Sequence, residues 1–131
     1  MITFSNGLLG FGTYKRYVLI ETGQDATFWW LQAVDEPDLA FVVTDPRFFV
    51  SSYRVPLRSD QMQEMGIKSA DDAQVFVIVN KVGNMLTGNL QGPLVIRVDS
   101  MTGEQLVLSD KRFTTRVPLM EVGAEVEAIS A

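Results

Sequence analysis

Residues 73–109 read AQVFVIVNKVGNMLTGNLQGPLVIRVDSMTGEQLVLS, and this stretch decides the fold. Residues 73–81 (AQVFVIVNK) are the strongest strand in the chain, because branched and aromatic side chains suit a pleated, covered surface. Residues 85–92 (MLTGNLQG) are polar and contain glycine. Residues 93–99 (PLVIRVD) and 104–109 (EQLVLS) flank Ser100-Met101-Thr102-Gly103, which reads as a tight hairpin with glycine at its left-handed position. Strands joined by such turns run antiparallel, since parallel neighbours need a long crossover.

The same rhythm continues outward, at the roughly 8–12 residue spacing of sandwiches and barrels. Ile2–Phe4 opens the chain, followed by a glycine-rich corner at residues 6–12 (NGLLGFG). Residues 17–22 (YVLIET) and 28–34 (FWWLQAV) are the next strands. An acidic turn, Asp35-Glu36-Pro37-Asp38, leads into residues 39–44 (LAFVVT), a continuous apolar run expected of a strand covered on both faces. Asp45-Pro46 stops it, because proline gives up a ladder hydrogen bond. Residues 53–57 (YRVPL) contain Pro56, which reduces them to an edge strand or a bulge.

A single helix is expected after a cap on Asp60, with Gln63 in capping-box spacing and Gly66 at its end. Met62 and Met65 give it an apolar stripe for packing. Residues 114–120 (TTRVPLM) form the last strand, and the small acidic segment 121–131 is expected to fray. About nine short strands and one short helix make an all-β, mainly antiparallel chain, which closes or partly closes into a small β-barrel to remove its edges.

At 131 residues the chain is one domain's worth, with residues 1–120 as that domain. Hydrophobic residues make up 47%, ample for a core. No apolar run reaches the ~20 residues of a membrane span. The start, MITFSNGLLG, lacks the basic region and long apolar stretch of a signal peptide, so the cytoplasm is the expected location. There is no cysteine and no histidine. That excludes disulfides, thiolate metal sites, imidazole zinc sites and His-based general-base catalysis. No cofactor or metal is expected. The net charge of −5 disfavours direct binding to nucleic acid or an anionic membrane and suits a basic protein partner.

Several clusters carry a functional and a plain reading. Asp35, Glu36 and Asp38 could chelate calcium, but Pro37 interrupts the ligand spacing and turns favour these residues anyway. Asp71 and Asp72 read as cap or turn residues. The 6–12 corner lacks the phosphate-loop pattern and no helix follows it. Trp29 and Trp30 are adjacent on a strand, so one ring enters the core and the other lies outside or under a loop. Phe48, Phe49 and Tyr53 plug a barrel end or form an exposed patch, with the plug favoured. Lys111, Arg112 and Arg116 make a solvated face or a salt-bridge set with Glu104 and Asp110.

Five segments, taken in order, resemble the FliW family of flagellar assembly factors. They are Ile2-Thr3-Phe4-Ser5-Asn6-Gly7-Leu8-Leu9-Gly10-Phe11; Leu31 to Phe41 followed by Asp45-Pro46; Asn89-Leu90-Gln91-Gly92-Pro93-Leu94-Val95-Ile96; Gln105-Leu106-Val107-Leu108; and Thr115-Arg116-Val117-Pro118-Leu119. Gly92 stands where the family often has alanine. Family members usually begin with another strand ahead of the first segment, whereas Met1 directly precedes it here. Without that strand, a barrel edge is expected to stand open.

The resemblance implies a function that composition does not. FliW-like proteins bind the RNA-binding regulator CsrA and stop it repressing flagellin mRNA; they also bind flagellin, which competes and releases CsrA. The expected contact positions are Asn89, Leu90, Gln91 and Pro93, with Phe41 and Arg116. Two alternatives belong to other classes. One is a small-ligand or carbohydrate-binding barrel stacking its ligand on Trp29 or Trp30. The other is a carboxylate hydrolase using two of Asp35, Glu36 and Asp38.

Overall fold

The apolar run at residues 73–82 is the longest strand and the one around which the sheet is organised. In the computed structural model, which describes residues 1–23 and 27–122, the strands are β1 (Ile2–Phe4), β2 (Arg16–Glu21), β3 (Phe28–Ala33), β4 (Ala40–Thr44) and β5 (Ala73–Val82). They continue with β6 (Met85–Gly88), β7 (Leu94–Arg97), β8 (Thr102–Gln105) and β9 (Val117–Glu121). A 3-10 turn (Pro46–Phe48), helix α1 (Ser59–Met65) and a second 3-10 turn (Ala70–Asp72) lie between β4 and β5.

β5 is long enough to serve three neighbours in succession. Its first residues pair with β7 (Phe76↔Leu94), its middle with β4 (Val43↔Ile78) and its end with β6 (Lys81↔Leu86). The order β4-β3-β2-β1-β8-β7-β5, with β5 returning to β4, closes a barrel, and β6 and β9 continue from β5 as a two-stranded ribbon. The consecutive strands β1 to β4 pair antiparallel with one another. Closure itself is parallel. β1 pairs with β8 through Thr3↔Thr102 and Phe4↔Gly103, and the Thr3 N–H donates to the Met101 carbonyl at 3.0 Å. β1 is therefore flanked by β2 and β8, so the open edge anticipated there is absent.

Two cores result. Phe4, Tyr17, Leu31, Val43, Leu94 and Ile96 fill the barrel, while Tyr53, Ile67, Val77, Leu90, Val95 and Leu108 form a second cluster. Period-2 alternation sends Phe76, Leu94 and Ile96 to the first and Val77 and Val95 to the second. β5 and β7 are thus covered on both faces, which explains their unbroken apolar sequence. β4 is covered less completely, since Phe41 and Val42 remain half-exposed. Met62 and Met65 pack onto the second cluster, as their stripe predicts.

Three local expectations change. Residues 53–57 form no strand; they cross the second core without regular structure, with Val55 and Leu57 packed against it and Pro56 exposed. Helix α1 begins earlier than its Asp60 signal, because the Arg58 N–H donates to Gln61 Oε1 at 3.0 Å and Gln61, not Gln63, supplies the box. In the β7–β8 turn the left-handed residue is Met101 (φ 54°), not Gly103. At the other end, Glu121 completes β9 and Val122 is buried; the rest of the segment expected to fray, residues 123–131, lies outside the described ones.

Gly66 does end α1, at φ 71°. A Cβ there would run into the Arg97 guanidinium, which is engaged with Asp99 at 2.6 Å. Gly66→Ala should cost about 1–2 kcal/mol, the usual penalty for a left-handed residue with a Cβ. Urea denaturation of the two proteins measures it, and an unchanged midpoint would contradict the assignment.

Candidate partner-binding surface

Residues 89–93 are an internal clasp. The Gly92 N–H donates to Asn89 Oδ1 at 2.9 Å, closing the turn after β6. The Leu90 N–H donates to the Thr114 carbonyl at 3.1 Å, and the Gln91 N–H donates to the same oxygen at 3.2 Å. The Gln91 and Pro93 carbonyls accept from the Leu108 and Leu106 N–H groups at 2.7 and 2.9 Å. Leu90 is fully buried and Pro93 is buried as well. Their side chains face the fold rather than solvent. Asn89 and Gln91 are half-buried, whereas Arg116 is exposed, with its N–H on Thr114 Oγ1 at 3.3 Å.

Phe41 lies with the other core. Its half-buried ring meets Phe11 edge-on at 5.1 Å and Tyr17 at 6.4 Å. The structure therefore separates Phe41, on the barrel cluster, from Leu90, on the second cluster.

What Phe41 leads to is the glycine-rich corner, which lacks the phosphate-loop pattern and forms the end of the first family-like segment. Leu8 and Phe11 form an isolated antiparallel bridge, with the Phe11 N–H donating to the Leu8 carbonyl at 2.8 Å. The Leu9 N–H donates to Gln105 Oε1 at 2.8 Å, and Gln105 Nε2 donates to the Gly92 carbonyl at 3.0 Å. One glutamine thus ties the corner to β8 and to the clasp. Leu8 is buried beneath, while Leu9 and Phe11 remain 58% and 39% exposed. Beside them is a cleft of about 290 Å³, walled by corner backbone, Glu104 and Gln105. Three large apolar residues set among glycines were the sequence signal for this feature.

A family model described as FliW protein matches residues 1–119. The chain belongs to the FliW family. The flagellar assembly factor FliW of Natranaerobius thermophilus is 37% identical over 122 residues, covering 91% of this chain and 81% of that protein. The FliW of Leptospira interrogans is 34% identical over 127 residues, covering 95% and 85%. A crystal structure of the flagellar assembly factor FliW superposes with a TM-score of 0.81 at 29% identity, over 91% of this chain and 84% of that one. The barrel is thus the FliW fold, and the chain is a flagellar assembly factor of that family.

In this FliW chain the acidic turn is occupied with its own structure. Arg16 pairs with Asp35, the Asp38 N–H donates to Glu36 Oε1 at 3.2 Å, and Gln32 Nε2 donates to the Glu36 and Leu39 carbonyls at 3.2 and 3.0 Å. Among the described residues no group of three or more acidic side chains is placed to hold a metal. Arg112 pairs with Asp110 at 2.7 Å and lies 5.3 Å from the Phe113 ring centroid, as the salt-bridge reading expects for that pair. Trp29 packs on the barrel core and Trp30 is 43% exposed, so the adjacent rings divide between faces. An apolar cleft of about 300 Å³ over the second core is lined by Leu57, Met62, Ile67 and Val75, and by neither indole.

The three aromatics after Asp45-Pro46 also divide. Tyr53 joins the second core, Phe49 packs 6.0 Å from Phe28, and Phe48 is 61% exposed. None of the described helices is long and apolar enough to cross a membrane.

Proposed function

We propose that this chain works by occupying other proteins: a CsrA-type RNA-binding regulator, whose repression of flagellin mRNA it relieves, and flagellin, which displaces that regulator from it. The observation that carries this reading is the family match along residues 1–119. The net charge of −5 suits a basic regulator and speeds the encounter, while it disfavours RNA on the chain itself. A barrel with both cores filled presents loops and edges as fixed shapes, so little ordering accompanies binding. The action needs no catalysis and no cofactor, and its place is the cytoplasm, where the regulator meets mRNA.

Purified chain mixed with a CsrA-type regulator should co-elute on gel filtration and release a flagellin leader RNA in a gel-shift assay. Added flagellin should restore the RNA shift. Because complementary charge contributes, the complex should weaken as salt rises from 50 to 500 mM, a range over which the Debye length falls from roughly 14 to 4 Å. Failure to bind either protein at low salt would end the reading.

A further inference from the structure

Exposed apolar side chains are ordinary when scattered, but those of the glycine-rich corner are held out by a frame that allows them little freedom. Gly7 is at φ 66°, and a Cβ on it would lie 2.7 Å from Gly12 Cα and 2.9 Å from the Phe11 carbonyl oxygen. Those are backbone atoms, so no rotamer change relieves the contact. Gly10 is at φ 83°. The Gly7 N–H donates to the Phe4 carbonyl at 2.8 Å, and the Leu9 N–H is held by Gln105. Leaving a leucine and a phenylalanine partly outside forgoes apolar burial that folding otherwise favours. A rigid frame that presents them regardless is preorganised for a partner.

The charges around the corner specify the partner's chemistry. Glu104 lines the cleft next to Leu9 and, among the described residues, has no cation within ion-pair distance. Phe11 meets Phe41 edge-on, and Phe41 follows the turn carrying Glu36 and Asp38, which likewise have no cationic partner among the described residues. The nearby Lys15 is directed to the Ser5 carbonyl at 2.8 Å. A different apolar groove, between Phe48 and Met120, has no charged residue in its lining.

We propose that the corner is the docking point for a basic segment of the protein partner, with apolar residues covering Leu9 and Phe11 and a lysine or arginine meeting Glu104 in the cleft. This rests on the reading that the chain acts by binding proteins. It adds the surface and the type of segment that surface takes.

Isothermal titration with a purified CsrA-type regulator and with flagellin tests both levels separately. For whichever protein the unaltered chain binds, the double variant Leu9→Ser/Phe11→Ser should weaken binding at least about tenfold, and Glu104→Lys by a similar factor, as expected for central apolar anchors and a desolvated charge. Phe48→Ser, on the uncharged groove, should leave affinity within about twofold, the scale of a non-contact residue. Circular dichroism of each variant checks that the barrel persists. A photo-crosslinking amino acid replacing Leu9 reports contact without relying on lost affinity. Unchanged affinity of both corner variants, or no cross-link in a complex that forms, overturns the docking site while leaving the protein-binding function intact. Absence of binding by the unaltered chain overturns both.

Discussion

Gly103→Val should remove a large part of the protein's stability, and Gly103→Ala a smaller part. Gly103 stands where the barrel closes, opposite Phe4 in the parallel pair and Ile96 in the antiparallel one. A Cβ on it would lie 2.5 Å from Phe4 Cε1 and 3.0 Å from both Cδ1 and Cζ. The obstacle is the edge of a ring, not the end of a flexible chain. Phe4 is fully buried and packs edge-on against Tyr17 at 5.7 Å, so the ring has little room to retreat. Overpacking of this kind costs about 1–3 kcal/mol, and the valine should reach or pass the upper end.

Against a total stability of roughly 5–15 kcal/mol, that loss is a visible shift in the urea midpoint. Phe4→Leu should be costly alone yet recover part of the loss when combined with Gly103→Ala, because the two side chains share one space. Additive losses, or an alanine variant as stable as the original chain, would refute the packing account.

The second large effect belongs to Tyr53. Its ring is 2% exposed, meets Phe113 edge-on at 4.8 Å, and its hydroxyl donates to the Leu90 carbonyl at 2.7 Å. Tyr53→Ala should cost about 3–5 kcal/mol, as for other large buried aromatics. Tyr53→Phe should cost about 1–2 kcal/mol, because it strips a buried carbonyl of its donor. Tyr17 provides the contrast: its buried hydroxyl has no protein partner among the described residues, so Tyr17→Phe should cost little.

The same burial has a pH signature. It pushes the Tyr53 hydroxyl above its ordinary 10.0, and burial with the neighbouring Tyr14 does the same for Tyr17. The folded state then holds these protons after the unfolded chain has begun to release them. Their contribution is fully present below pH 10 and is lost as pH rises above it. Denaturation midpoints followed from pH 8 to 11.5 should fall above pH 10, and less steeply in Tyr53→Phe. An identical slope in the variant would show that Tyr53 is not the group responsible.

How much was legible depends on whether a feature is local. The strands at 17–22, 28–34 and 73–81 lie within a residue or so of their predicted limits, because alternation and bounding turns are local properties. Gly66 was legible as a helix terminator for the same reason. Pro56 correctly warned against a central strand, but could not say that residues 53–57 would instead lie over a second core. Gly103 misled the reading. A glycine near a tight turn signals positive φ, whereas this one supplies space for Phe4, a residue far away in sequence; Met101 takes the left-handed position instead. Leu90 and Pro93 belong to a distinctive motif and are buried, but such a motif identifies a family without saying whether its side chains face a partner or the core.

From the amino-acid order alone came the all-β class, the antiparallel succession of neighbours, the acidic surface, the exclusion of thiol and imidazole chemistry, and the family resemblance. Each depends on residue identity or short-range periodicity. The tertiary structure alone decided the parallel closure of β1 on β8, the division into two cores, the inward clasp at 89–93 and the outward Leu9 and Phe11. Alternation along a strand states which residues share a face; it does not state which distant strand completes the sheet, and that pairing determines what is covered and what is left for a partner.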